Sequence, residues 1–163
     1  MKKRLNYILS LLLIALLSAC GNSAQSTKTK TGTIKTVIKA TALTAGLNIG
    51  GVHMAINLPH GVAPALNPDG SVVDSAAVEF ASAAPATYKV QKAAYNSANS
   101  VLEFSVIDLA GFSTEDQIIL HLIVSPGTIP LETDFSIRSY EFFDKVSGAA
   151  VTGLNPTLTT TIQ

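Results

Sequence analysis

The chain has 163 residues, with eleven basic and eleven acidic side chains, three histidines, one cysteine and no tryptophan. That length suits a single domain with a proper core. A lone cysteine excludes an internal disulfide, and the absence of a basic excess argues against nucleic acid as a partner.

The chain opens with Met1-Lys2-Lys3-Arg4, then a greasy run over residues 5–17 that includes Ile8, Leu9, Leu11, Leu12, Leu13, Ile14, Leu16 and Leu17. Small Ser18-Ala19 precede Cys20. A basic, then apolar, then small-residue order is that of a secretory signal. The apolar run is shorter than the ~18–20 residues that span a bilayer core, which disfavours a transmembrane anchor. Leu17-Ser18-Ala19-Cys20 resembles the lipobox of bacterial lipoproteins. The resemblance implies that residues 1–19 are a signal peptide and that Cys20 is the acylated first residue of the mature protein. An ordinary signal peptide leaves the lone exported thiol unexplained, whereas lipidation explains it. One acyl chain holds a protein only marginally and two hold it stably, so the expected partner at this end is the membrane.

Loss of Lys2, Lys3 and Arg4 with the leader leaves eight basic residues against eleven acidic ones, a net charge of −3. From Ala40 onward only Lys89, Lys92, Arg138 and Lys145 face all eleven carboxylates, a net of −7. Residues 20–31 are small and polar after the cysteine and read as a lipidated, flexible tether to a domain over 32–163. Gly21 stands where the best-known inner-membrane retention signal would have aspartate. The expected location is the bacterial cell envelope, and in a Gram-negative cell the outer membrane.

From Gly32 the chain is a succession of short β-like runs with no sustained helical period. Residues 33–44 are rich in Thr, Val and Ile, and 49–58 place Val52, Met54, Ile56 and Leu58 on alternate positions. Gly50-Gly51 suggest a bulge or a close backbone contact there. Asn67-Pro68-Asp69-Gly70 is a turn signal. Further strands are expected at 71–73, 77–81, 86–94 and 101–107, the last turning Leu102, Phe104 and Val106 inward. The nearly all-apolar 117–124 reads as a central strand covered on both faces. Runs at 134–143 and 149–162 complete the set, the latter with a break near Gly153 or Asn155-Pro156. Eight or nine short strands separated by turns mean an all-β, antiparallel β-sandwich or jelly roll.

The strand 49–59, the segments 101–107, 110–112 and 117–124, and the closing Phe143-Asp144-Lys145-Val146-Ser147-Gly148 resemble the order of features in the cohesin-like and carbohydrate-binding-module superfamily. The resemblance covers roughly residues 32–163 and implies a cohesin-like nine-stranded jelly roll. It also implies a binding role, since cohesins bind dockerin modules and related sandwiches bind polysaccharide.

No G-x-S-x-G, H-E-x-x-H, phosphate loop or S-x-x-K is present, so the chain is read as no enzyme. His53, His60 and His121 could meet as a zinc site, but strand histidines are more commonly surface or satisfied groups. No cofactor is expected; the alternative is a structural calcium, to which Glu115, Asp116, Asp134 and Asp144 could contribute oxygen ligands. The competing reading makes Asp144 the first residue of a tight turn closing at Gly148, and Glu115-Asp116 a solvated loop tip. Sugar platforms use exposed Trp or Tyr. Among the tyrosines Tyr88 and Tyr140 sit in strands, which leaves Tyr95 as the exposed candidate. The expected function is a lipid-anchored, non-catalytic binding module whose partner is another protein, dockerin-like or an envelope component. The alternative is a polysaccharide-binding lipoprotein, and the third reading a structural envelope lipoprotein.

Overall fold

The computed structural model describes residues 31–39, 48–81, 88–112 and 117–162. The segment expected as a signal peptide, Leu17, Ser18, Ala19 and Cys20 expected as a lipobox, and Glu115 and Asp116 lie outside the described residues. Within them the chain forms β1 (Thr31–Lys39), β2 (Ile49–Asn57), β3 (Val62–Pro64), a single helical turn α1 (Asp74–Ala77), β4 (Val78–Ala81) and β5 (Tyr88–Asn96). It continues with β6 (Val101–Phe112), β7 (Gln117–Val124), a 3-10 turn at Glu132–Asp134, β8 (Ser136–Asp144), β9 (Ala150–Val151) and β10 (Asn155–Thr161). All strand pairs are antiparallel, so the expected all-β class holds.

Sheet A runs β10-β1-β7-β3 with β4 also on β7, and sheet B runs β5-β6-β2-β8-β9. Both sheets turn one apolar face into the same cluster. Sheet B contributes Val52, Met54, Ile56, Leu102, Phe104, Val106 and Phe142, and sheet A contributes Val78, Phe80, Ile118, Leu120 and Leu122. Alternation at period two produces this pattern in β6 and β7, where every second residue leaves water, whereas the central β2 is also buried at the small residues Gly51 and Ala55 of its other face. Burying each large inward side chain is worth roughly 1.5–3 kcal/mol. The Phe80 and Phe112 rings, from the two different sheets, meet edge to face at 4.8 Å. The result is a β-sandwich-like body.

Register defines its two ends. Thr31 pairs with Ile123, Val62 with Val124, Val101 and Ser136 with Asn57, and Thr33 with Thr161. The starts of β1, β3, β6 and β8 and the ends of β2, β7 and β10 therefore gather at one end, the Thr31 end. Backbone hydrogen bonds tie it together, from Leu58 N to Ser100 O at 2.8 Å and from Ser125 N to Gly61 O at 2.8 Å. The other end holds Gly50, the 144–148 turn and the close of β6. There Lys145 N donates to Asn48 O at 2.7 Å. The nine residues of β2 separate the two ends by about 27 Å.

Several expectations need correction. Residues 71–73 form no strand. Val72 makes an isolated bridge to Leu66, and the chain then coils into α1 with Ala76 and Ala77 N–H groups on Val73 O. β3 was too short, at three residues, to register as a run. β7 is central but covered on one face only. Leu120 and Leu122 are buried, whereas Ile123 on the other face stays 40% exposed. Among the described residues no second layer lies over that face, so the apolar run reflects composition at a sheet centre more than burial. The run 149–162 divides into two strands in different sheets, β9 on β8 and β10 on β1. The chain crosses between sheets at Gly153, whose φ of +83° suits glycine. Ten strands thus stand among the described residues.

Candidate functional site

The outer face of sheet B carries the candidate site. Cross-strand neighbours project to the same face, so the register lines up Lys92, Ser105, His53 and Glu141 in one row across β5, β6, β2 and β8. Within the row, His53 Nδ1 and Ser105 Oγ are hydrogen-bonded at 3.0 Å. The next row toward the Gly50 end is Ile107, Gly51 and Phe143. Gly51 has no side chain, so a trough opens between Ile107 and Phe143.

That trough is a cleft of about 530 Å³, bounded by Gly50, Gly51, His53, Ser105, Ile107, Phe143, Asp144 and Lys145. The size suits a small ligand or an inserted side chain. A smaller depression of about 140 Å³ adjoins it across His53 and Ser105, walled by Lys92 and Glu103. Apolar walls with a few convergent polar groups form the usual composition of a binding site.

The cleft's end wall is built locally. Asp144 Oδ1 accepts from Val146 N at 3.0 Å, Ser147 N at 2.7 Å and Ser147 Oγ at 2.7 Å. Gly148 N closes the turn on Asp144 O at 2.9 Å, with Gly148 at φ +67°. Those bonds, first the Ser147 amide and then its hydroxyl, hold the Asp144 carboxyl below its usual value. Lys145 Nζ donates to Ala110 O at 2.7 Å and pins the wall to β6. Gly50 lets the wall approach, because a Cβ there would lie 2.6 Å from Lys145 Cα. The register slips between Ile49 and Gly51 in both of β2's pairings, the bulge expected of Gly50-Gly51. Beneath the cleft, Asp108 is 2% exposed, and its Oδ1 accepts from Ala110 N at 2.8 Å.

The sequence-derived candidates fare differently. Asp144 is the turn residue just described. Asp134 caps the 3-10 turn, accepting from Leu131 N at 2.8 Å. The two carboxylates stand at opposite ends of β8, about 27 Å apart by strand rise, too far to share an ion. Among the described residues no group of three or more His, Cys, Asp or Glu side chains is placed to hold a metal. Tyr95 is not an exposed platform. It alternates with exposed Ala94 and Asn96, packs inward against the core cluster, and its OH donates to Val62 O at 3.4 Å. The histidines do not meet either. His53 lies on the outer face of sheet B and His121 on the outer face of sheet A, where its Nε2 is 2.7 Å from Glu79 Oε2. His60 sits in the turn at the Thr31 end. The residues that sequence reasoning missed are Ser105, Ile107 and Phe143. Their outward positions in the alternation were legible, but their adjacency to His53 and Gly51 was not.

A comparison with protein-family models finds no match for this chain, and comparisons with curated proteins and with solved structures find none either.

Proposed function

We propose that this chain is a lipid-anchored, non-catalytic binding module of the bacterial envelope, held through Cys20, whose folded body is a cohesin-like jelly roll. Its partner is another protein, which inserts a side chain into the Gly51 cleft on sheet B. One observation carries this reading: the cleft opens on the outer face of sheet B at the Gly50 end, separated by the length of β2, about 27 Å, from the Thr31 end where the tether joins. Apolar Ile107 and Phe143 with polar His53 and Ser105 alongside suit a protein anchor residue in a desolvated pocket. The His53–Ser105 contact supplies two parts of a nucleophilic dyad. That contact by itself names no reaction, and the role proposed stays one of binding.

Polysaccharide binding is a second reading. It is favoured by the Phe143 ring lining the same cleft as the hydrogen-bonding His53 and Ser105. The test uses the full lipidated chain in mild detergent as bait for the envelope and secreted fractions, with and without EDTA, beside Ser105→Arg. Recovery of a discrete protein by the wild type and its loss with Ser105→Arg are expected. Equal recovery by the variant would refute the cleft as the site. Loss with EDTA would bring calcium into the contact. Sedimentation with polysaccharide in place of protein capture would move the assignment to the second reading.

A further inference from the structure

The two most exposed large apolar side chains among the described residues are Ile129, at 87%, and Val146, at 85%. Exposure alone does not distinguish them, and single exposed apolar residues are ordinary. Their places in the fold do. Val146 tips the 144–148 turn at the Gly50 end. Ile129 belongs to the loop 125–131, which leaves β7 immediately after Val124, beside the start of β1, where Thr31 pairs with Ile123. Leu131, 60% exposed, lies two residues on, and Pro130 between them is buried.

This loop is held rigidly in its exposed state. Ser125-Pro126-Gly127-Thr128 is a turn with Thr128 N on Ser125 O at 3.1 Å and Gly127 at φ +82°, the arrangement that Pro-Gly favours. Ser125 N is bonded to Gly61 O, and Thr128 is packed so closely on Gly61 that a Cβ there would run into it. On the far side, Leu131 N donates to Asp134 Oδ2 and Leu131 O accepts from Asp134 N. Both flanks of the apolar tip are thus fixed, and Ile129 and Leu131 point out from a buried proline between them.

Only eleven residue steps separate Cys20 from Thr31, at most about 40 Å of extended chain. The tether joins the body at its Thr31 end, so that is the end the anchor leads to, and it lies within reach of the bilayer. We propose that Ile129 and Leu131 insert into the membrane interface and seat the domain on it by its Thr31 end, which leaves the Gly51 cleft at the end remote from the membrane. This rests on the Cys20 anchoring reading. Two side chains add apolar contact to an anchor but do not replace one. Exposed Glu132 and Asp134 behind the tip mean that the contact is apolar and not drawn by anionic headgroups.

The absence of tryptophan makes the test direct. The full lipidated chain is reconstituted into phosphatidylethanolamine–phosphatidylglycerol vesicles with brominated acyl chains, as I129W or as V146W. I129W is expected to show blue-shifted emission quenched several-fold by bromine, little changed by salt, and V146W neither effect. L131W should behave as I129W does. If the wild-type chain floats with vesicles while I129W and L131W are unquenched, the anchor stands and the loop contact is refuted. If mass analysis finds Cys20 unacylated and the chain does not float, the anchoring reading fails and this proposal falls with it. Equal quenching of I129W and V146W would refute the orientation.

Discussion

Adjacent glycines in β2 offer a sharp test of how the cleft is built. A Cβ at position 50 would sit 2.6 Å from Lys145 Cα, where ordinary contact begins at 3.4 Å. Gly50→Ala must therefore push the 144–148 turn back by about 0.8 Å, and backbone does not yield as a side-chain tip does. The same displacement stretches the Lys145 N–Asn48 O bond from 2.7 Å to about 3.5 Å, past useful hydrogen bonding. Overpacking of ~1–3 kcal/mol and a lost hydrogen bond of ~1 kcal/mol, less the ~0.5–1 kcal/mol that alanine gains over glycine in a strand, leave a net loss of about 2 kcal/mol. At Gly51 the nearest atoms are those of the Phe143 side chain, at 3.4 and 3.5 Å, which is ordinary contact. Gly51→Ala meets no such clash and should be neutral to slightly stabilising, by up to ~0.5–1 kcal/mol. Urea unfolding of the two variants decides it. With a slope of ~1–3 kcal/mol per molar, Gly50→Ala should move the midpoint down by about 1 M while Gly51→Ala leaves it in place or raises it slightly. If the two midpoints coincide, the close approach of the 144–148 turn to Gly50 is not the constraint described here.

Other expectations follow from the core and the turns. Leu120→Ala empties the centre of β7, where Leu120 is fully buried, and should lower stability by ~2–5 kcal/mol in the same assay. Asp144 and Asp69 both have lowered carboxyl pKa values, Asp69 chiefly through the Ser71 hydroxyl and then its amide. A carboxyl that is more acidic when folded contributes stability above its unfolded value, here 3.8, and loses it as pH falls through the folded one. The urea midpoint should therefore drop as pH goes below about 4. Asp69→Asn with Asp144→Asn should flatten that limb, and an unchanged acid limb would refute the assignment.

The physical reach of local sequence explains which parts of the fold were legible. The Asn67–Gly70 turn forms as expected, with Gly70 N on Asn67 O at 2.9 Å and Gly70 at φ +85°, because four neighbouring residues contain all its chemistry. The Asp144–Gly148 turn is equally local, and it forms as the turn reading of Asp144 expects. Inward Leu102, Phe104 and Val106 follow from the period of an extended backbone. Tyr95 defeated the same reasoning. A residue beside a turn was expected to face water, yet its register against β6 directs it into the core.

Local sequence was enough for the all-β class, most of the longer strands, the turns at 67–70 and 144–148, the inward sets of β2 and β6 and the glycine bulge in β2, since each depends on residues a few positions apart. Its basic, apolar and small-residue opening, closing on Cys20, is likewise a local pattern. Only the tertiary structure decided which strands lie side by side. It sent β9 and β10 to different sheets, set Asp134 and Asp144 at opposite ends of β8, and brought Ser105 against His53 from 52 residues away. It also brought the loop 125–131 to the end where β1 begins. Alternation tells each residue which face to take, but the neighbour on that face is chosen by pairing and register, and those are set by how two sheets together close over one core.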